Sequence, residues 1–158
     1  MADVVLRTAA ADDVPSIVGI FQRSRRAAMP WLPVLHSHEE DLAFFSAQIA
    51  DQDAWVVTAD GLVQAFAIAG DGWLNHIYVE PDRRGSGHGT HLVGEVKRRF
   101  PAGVQLWVFE QNAAARRFYA GQGFVEVEMT DGTGNEERMP DVRMQWSGSV
   151  ADLRAHGV

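Results

Sequence analysis

The chain of 158 residues has no cysteine, and that absence removes several chemistries at once. No disulfide framework, thiolate metal site or cysteinyl acyl-enzyme can be built from it. Basic residues are also few. Fourteen Lys and Arg against 21 Asp and Glu leave a formal net charge of -7, which argues against general nucleic-acid binding, since that rests on cationic contacts to phosphates. The same balance is compatible with attracting a cationic amine. Nowhere do 18 apolar residues run together, and Met1 to Leu6 lacks a basic segment ahead of an apolar one, so neither a membrane span nor a signal peptide is expected. A soluble cytoplasmic protein without nucleic-acid or membrane partners is the expectation. His36 and His38 alone are too weak a pattern for a metal site, and none is expected.

What is present is enough apolar material for one core, 46% of all residues, at a length that suits a single domain. The expected domain spans 1–147, with 148–158 as a loosely held tail. Val4 to Arg7 reads as a short strand. Asp12 or Asp13 can cap a helix over about 13–28, with Pro15 in its first turn and Val14, Ile17, Val18 and Phe21 at helical spacing. Two prolines in Met29 to His36 end that helix. Ser37 to Glu40 matches a capping box ahead of a second helix with Leu42, Phe45 and Ile49 on one face. Strands over 54–59 and 62–69 meet across Asp60-Gly61, a hairpin signal, and a third strand follows Asp71-Gly72. Further helices at about 87–99 and 112–121 are each followed by a strand. A last strand covers Asp141 to Trp146.

The run Arg83-Arg84-Gly85-Ser86-Gly87-His88-Gly89-Thr90 follows an apolar strand and opens an amphipathic helix. Alternating glycines let consecutive backbone N–H groups close around an anion at the helix N-terminus. A P-loop would need Gly-Lys-Ser/Thr and a dinucleotide loop G-x-G-x-x-G; neither is here.

Arg84, Gly87 and Gly89 do reproduce the Gln/Arg-x-x-Gly-x-Gly/Ala signature of the GNAT superfamily of N-acetyltransferases. Before it, Trp73 to Pro81 resembles the strand and Val-x-Pro exit that precede the loop in that superfamily. After it, Asn112, Tyr119 and Gly123-Phe124 resemble the second signature, in the family's order and spacing. The resemblance covers roughly residues 73–125. It implies an α/β GNAT fold: a central mixed, mostly antiparallel sheet of about seven strands flanked by about four helices.

It also implies roles. Arg84, Gly85, Ser86, Gly87, His88, Gly89 and Thr90 would hold the pyrophosphate of acetyl-CoA. Each charge-assisted hydrogen bond there contributes about 1.5 to 3 kcal/mol. The backbone of Ile77, Tyr78 and Val79 would pair with the pantetheine arm, with the Val79 N–H as oxyanion donor. Tyr119 matches the acid that protonates the departing thiolate; a phenol near 10 and a thiol near 8.5 are close enough for that transfer. Asn112 caps its helix or contacts the cofactor. Where several relatives carry a catalytic Glu, this chain has Trp73 and Trp107, which leaves His76, Glu110 or a water chain to take the amine's proton. Strand alternation sets His76 opposite to Asn75 and Ile77. Trp31 and Leu35 in the Pro-constrained loop, Asn75, Trp107, and Glu136 in the long turn 130–141 are the candidate acceptor contacts.

The function implied is acetyl transfer from acetyl-CoA, without a metal, to a primary amine by direct attack, with a small-molecule acceptor favoured. A CoA-binding sensor module, a protein N-terminal acetyltransferase and a different acyl group such as succinyl are the alternatives. A homodimer is left open.

Overall fold

The computed structural model describes residues 3–148. All but the first residue of the expected tail lies outside them; Gly148 itself is buried, in a left-handed backbone conformation against the Pro101 and Ala102 carbonyls. Seven strands form one sheet: β1 (Val4–Thr8), β2 (Asp53–Ala59), β3 (Leu62–Gly70), β4 (Trp73–Val79), β5 (Val104–Phe109), β6 (Val125–Thr130) and β7 (Asp141–Trp146), in the order β1-β2-β3-β4-β5-β7-β6. Among the described residues four helices accompany them: α1 (Val14–Ala28), α2 (His38–Asp51), α3 (His88–Arg99) and α4 (Ala113–Gly121). β1–β2, β2–β3, β5–β7 and β6–β7 pair antiparallel, while β4 and β5 run parallel and register at Trp73 and Gln105. This is the mixed α/β architecture expected from the sequence.

The described residues divide into two compact units, 3–70 with 75–92, and 71–74 with 93–148. In the first, Ile17, Val18 and Ile20 of α1 and Phe45 of α2 are buried with Val56, Phe66 and Ile68 of β2 and β3. β3 is shielded along nearly its whole length, so it reads as a continuous apolar run rather than an alternating one. In the second unit the interior comes from Val96 of α3, Val104, Leu106 and Val108 of β5, Phe124, and Val142 and Met144 of β7.

Local chemistry places the element ends. Asp60-Gly61 and Asp71-Gly72 both take positive φ at each residue, the conformation of the hairpin turns that match strand twist. Ser37 accepts from the Glu40 N–H at 3.1 Å while the Glu40 carboxylate accepts from the Ser37 N–H at 2.9 Å, the capping box read from the sequence. The expected cap of α1 is different. The Asp13 carboxylate does not cap that helix; it accepts from the Ala10 N–H at 2.7 Å and from both Arg7 nitrogens at 2.8 and 2.9 Å. It serves the 3-10 turn Ala11–Asp13 ahead of α1 because a doubly bonded guanidinium outcompetes one more backbone N–H.

The Arg7 hydrogen bonds hold the Asp13 carboxyl below its usual range. A carboxylate whose pKa is depressed on folding adds stability that is present above its unfolded value, near 3.9, and is lost as pH falls through the folded value. Asp13→Asn is therefore expected to lower stability at pH 7 by about 1.5 kcal/mol, the low end for bonds to charged groups because Arg7 is partly exposed. Urea denaturation at pH 7 and pH 3 should show the gap between parent and variant closing at the lower pH.

Candidate active site

In the first unit, β4 carries Asn75, His76, Ile77, Tyr78 and Val79 into Glu80-Pro81 and then the glycine loop. The end of this strand is tied to α1. Ser24 donates its hydroxyl to the Val79 carbonyl at 2.6 Å, and Arg23 forms a two-pronged pair with Glu80 at 2.6 and 2.7 Å. The Glu80 N–H donates to Gln64 of β3 at 2.7 Å. Ser24, Arg23 and Glu80 were not singled out in the sequence; the basic run Arg23 to Arg26 was the visible hint, but its partners lie more than 50 positions away.

Beyond Glu80, the Arg83 N–H turns back to its carbonyl at 2.8 Å, and Ser86 bonds the Arg83 carbonyl through both N–H and hydroxyl. Gly85 and Gly87 stand at φ of 80° and 90°. Nothing lies within 4 Å of the place a Cβ would occupy at either. Glycine is demanded by the backbone there, not by crowding, and the space over the loop is open. The ladder of α3 begins with the His91 N–H on the Gly87 carbonyl at 3.0 Å, so Gly87, His88, Gly89 and Thr90 form the positive end of the helix. Arg84 is exposed. These residues fit a pyrophosphate by shape and by sign of charge. His88 is buried, and desolvation, then the charges of His91 and Arg83, push its pKa down.

His76 departs most from its value in free solution. Its imidazole lies 5.1 Å from the ring of Phe45, 5.5 Å from Phe44 and 6.4 Å from Phe21. Desolvation first, and the Arg25 charge second, lower its pKa to about 4. At neutral pH it is an uncharged ring, a weak base for an alkylammonium near 10. Asn75, its neighbour on the strand, is exposed and donates to Gln52 at the end of α2 at 2.6 Å. Trp31 is half-buried and Leu35 exposed in the connection between α1 and α2.

The second unit carries the remaining candidates. Asn112 accepts from the Ala115 N–H at 3.2 Å and so caps α4. Tyr119, seven residues on, is half-buried against Phe118 and Phe124 at 5.4 and 5.8 Å. The helix ends where Lys97 donates to the Gln122 carbonyl while lying 4.8 Å over the Trp146 ring, a cation at a helix C-terminus. Trp107 on β5 is 44% exposed. Glu136 is exposed in a turn closed by Asn135, whose side chain bonds the Met139 backbone twice.

The depressed His76 pKa has a sign that can be tested. Between about pH 6.5 and 4 the unfolded chain binds a proton there that the native state refuses, so stability falls as pH drops through this window, by about 3 kcal/mol at most. His76→Phe should flatten that part of the pH dependence. In the parent, the His76 ring resonances should titrate near pH 4; a midpoint near 6.5 would contradict the burial argument.

Comparison with known proteins identifies the family and the fold. The sequence profile of the acetyltransferase (GNAT) domain matches residues 44–126, more than half of the chain. An uncharacterized N-acetyltransferase of Methanocaldococcus jannaschii is 40% identical over 63 residues; the match covers 37% of this chain and 28% of that relative. Among solved structures, apo YjaB of Escherichia coli superposes with a TM-score of 0.77 at 21% identity, covering 93% of this chain and 99% of that one. The structure of yncA from Salmonella typhimurium with its cofactor acetyl-CoA gives 0.70 at 23% identity, covering 92% and 94%. From β4 through the glycine loop to α4, the chain belongs to the GNAT acetyltransferase family.

Proposed function

We propose that this protein transfers the acetyl group of acetyl-CoA to a primary amine of a small molecule, directly and without an acyl-enzyme. The observation that carries the reading is the loop Arg84 to Thr90, where two glycines in left-handed conformations deliver the chain into the first turn of α3 under open space. That acetyl-CoA occupies the similar fold of yncA supports the choice of anion.

In this reading the loop and Arg84 bind the pyrophosphate, and the Ile77 to Val79 backbone binds the pantetheine arm. The amine nitrogen attacks the thioester carbonyl. The C–N bond forms, the C–S bond breaks, the Val79 N–H stabilises the oxyanion and Tyr119 gives its proton to the sulfur; the proton the nitrogen loses on becoming an amide passes to water, from which Tyr119 is reprotonated. Asn112 adds a contact to the cofactor beyond its capping bond. The amine reaches attack already deprotonated by solvent or through water, because the neutral His76 is too weak a base to do it alone. The resemblance makes Trp31, Leu35 and Asn75 of the first unit, and Trp107 and Glu136 of the second, the candidate acceptor contacts. Among the described residues no helix is long and apolar enough to cross a membrane.

Two substitutions test the assignment. Gly87→Glu puts a carboxylate where the pyrophosphate would lie; calorimetry should show CoA binding lost in a folded protein, and unchanged affinity would remove the basis of the proposal. Tyr119→Phe keeps the ring and deletes the proton. Turnover should fall about 10 to 10,000-fold, the scale of acid–base contributions, with cofactor affinity unmoved. Turnover within twofold of the parent would mean that the thiolate leaves without Tyr119.

A further inference from the structure

Gly19 stands in the interior of α1, where glycine weakens a helix relative to alanine. Its backbone is ordinary helix and asks for no glycine. What the missing side chain leaves is room. A Cβ at Gly19 would lie 2.9 and 3.2 Å from the two terminal nitrogens of Arg23 and 3.4 Å from its Cζ. Side chains on a helix lean toward its N-terminus, so the Arg23 guanidinium lies back over the preceding turn, in the volume that a side chain at position 19 would fill.

From that place the guanidinium meets Glu80, 57 positions further along the chain, through Nε at 2.6 Å and a terminal nitrogen at 2.7 Å. The fork holds both carboxylate oxygens in one geometry, which a lysine could not do. The Arg23 side chain is 52% exposed, and a pair so open to water adds little to folding. Its consequence lies in what Glu80 holds.

The peptide between Val79 and Glu80 is fixed on both of its polar groups. The buried Ser24 hydroxyl donates to the Val79 carbonyl at 2.6 Å, and the Glu80 N–H donates to the Gln64 carbonyl at 2.7 Å. Because the peptide is planar, two such bonds set its orientation. The glycine loop then starts from Glu80: its carbonyl accepts from the Arg83 N–H, and the Arg83 carbonyl accepts from Ser86. No neighbour stands within 4 Å of a Cβ built at Gly85 or Gly87, so packing at these two residues does not place the loop. Glu80 at one end and the first turn of α3 at the other do.

Resting on the acetyltransferase reading above, we infer that Gly19 and Arg23 of α1, acting through Glu80, are positioning residues of the cofactor site, holding the start of the glycine loop where its N–H groups receive the pyrophosphate of acetyl-CoA. They act through the main chain, which binds weakly if it must first be ordered. A purely electrostatic role for the pair makes the opposite prediction at Glu80. Glu80→Gln removes a negative charge ahead of an anion site while Asp82, Arg83 and Arg84 stay, and on electrostatics alone it would tighten binding.

Calorimetry with CoA tests this. Gly19→Leu fills the place of the guanidinium with a good helix former; Kd for CoA should rise about tenfold, within the scale for misplaced preorganised groups, while the urea midpoint stays at or above that of the parent. Gly19→Ala should give a smaller rise, and it carries the test if the leucine variant does not fold. Glu80→Gln should also raise Kd about tenfold. Both changes break one interaction, so the double variant Gly19→Leu/Glu80→Gln should bind within about twofold of the weaker single variant. Unchanged CoA affinity in the folded Gly19 variants, tighter binding by Glu80→Gln, or a double variant that multiplies the two losses would overturn the inference. So would a loss of affinity in the Gly19 variants that is matched by a fall in the urea midpoint. If the parent protein binds no CoA, the acetyltransferase reading itself fails; a parent and variants that bind it equally well remove only the positioning role.

Discussion

Glu80 is the point on which the first unit is organised. Its N–H closes the last bond to β3, its carbonyl receives the Arg83 N–H that starts the glycine loop, and its carboxylate is held on both oxygens by Arg23. Every polar group of the residue thus has a separate structural task. Pro81 follows, fixing the direction in which the chain leaves the strand. With Ser24 on the Val79 carbonyl, the end of β4 is fixed from the α1 side, leaving the backbone beyond it free to turn. A loop that binds an anion through main-chain groups works only if that main chain is preorganised, and here the organisation comes from one helix.

That helix has distinct duties along its length. Ile17, Val18 and Ile20 are buried, Phe21 and Arg25 face the aromatic cluster, and Arg23 and Ser24 hold the strand end. The periodicity of Val14, Ile17, Val18 and Phe21 was enough to find the helix and its buried face, since burial repeats with the helical turn. The ties of Arg23 and Ser24 were not readable that way. They join residues 55 and 57 positions apart, and sequence pattern reports on local geometry, not on which distant polar group will stand opposite.

The same division runs through the rest of the chain. The Asp-Gly turns and the Ser37 capping box were legible because each is complete within four residues. The glycine loop was legible because positive φ restricts the residue type itself. The role of Asp13 was only half legible: its position ahead of α1 was clear, but the Arg7 guanidinium that claims it comes from β1. For Asn112 the capping bond could be anticipated from residue type alone, and it is present.

His76 marks the limit most clearly. Residue type gives an imidazole near pH 6.5, a good candidate for moving a proton; the rings of Phe21, Phe44 and Phe45 and the nearby Arg25 bring it to about 4. No spacing rule supplies that shift, because desolvation depends on everything that packs around a group. On the proposed reading the consequence reaches the chemistry. Two tryptophans stand where the resemblance would place a carboxylate, and the one histidine on β4 is held neutral, so on that reading none of these three positions supplies a strong base. A neutral His76 cannot take the proton from an alkylammonium at low cost. The rate then depends on how much of the amine solvent has already deprotonated, and the protein contributes by placement more than by proton transfer.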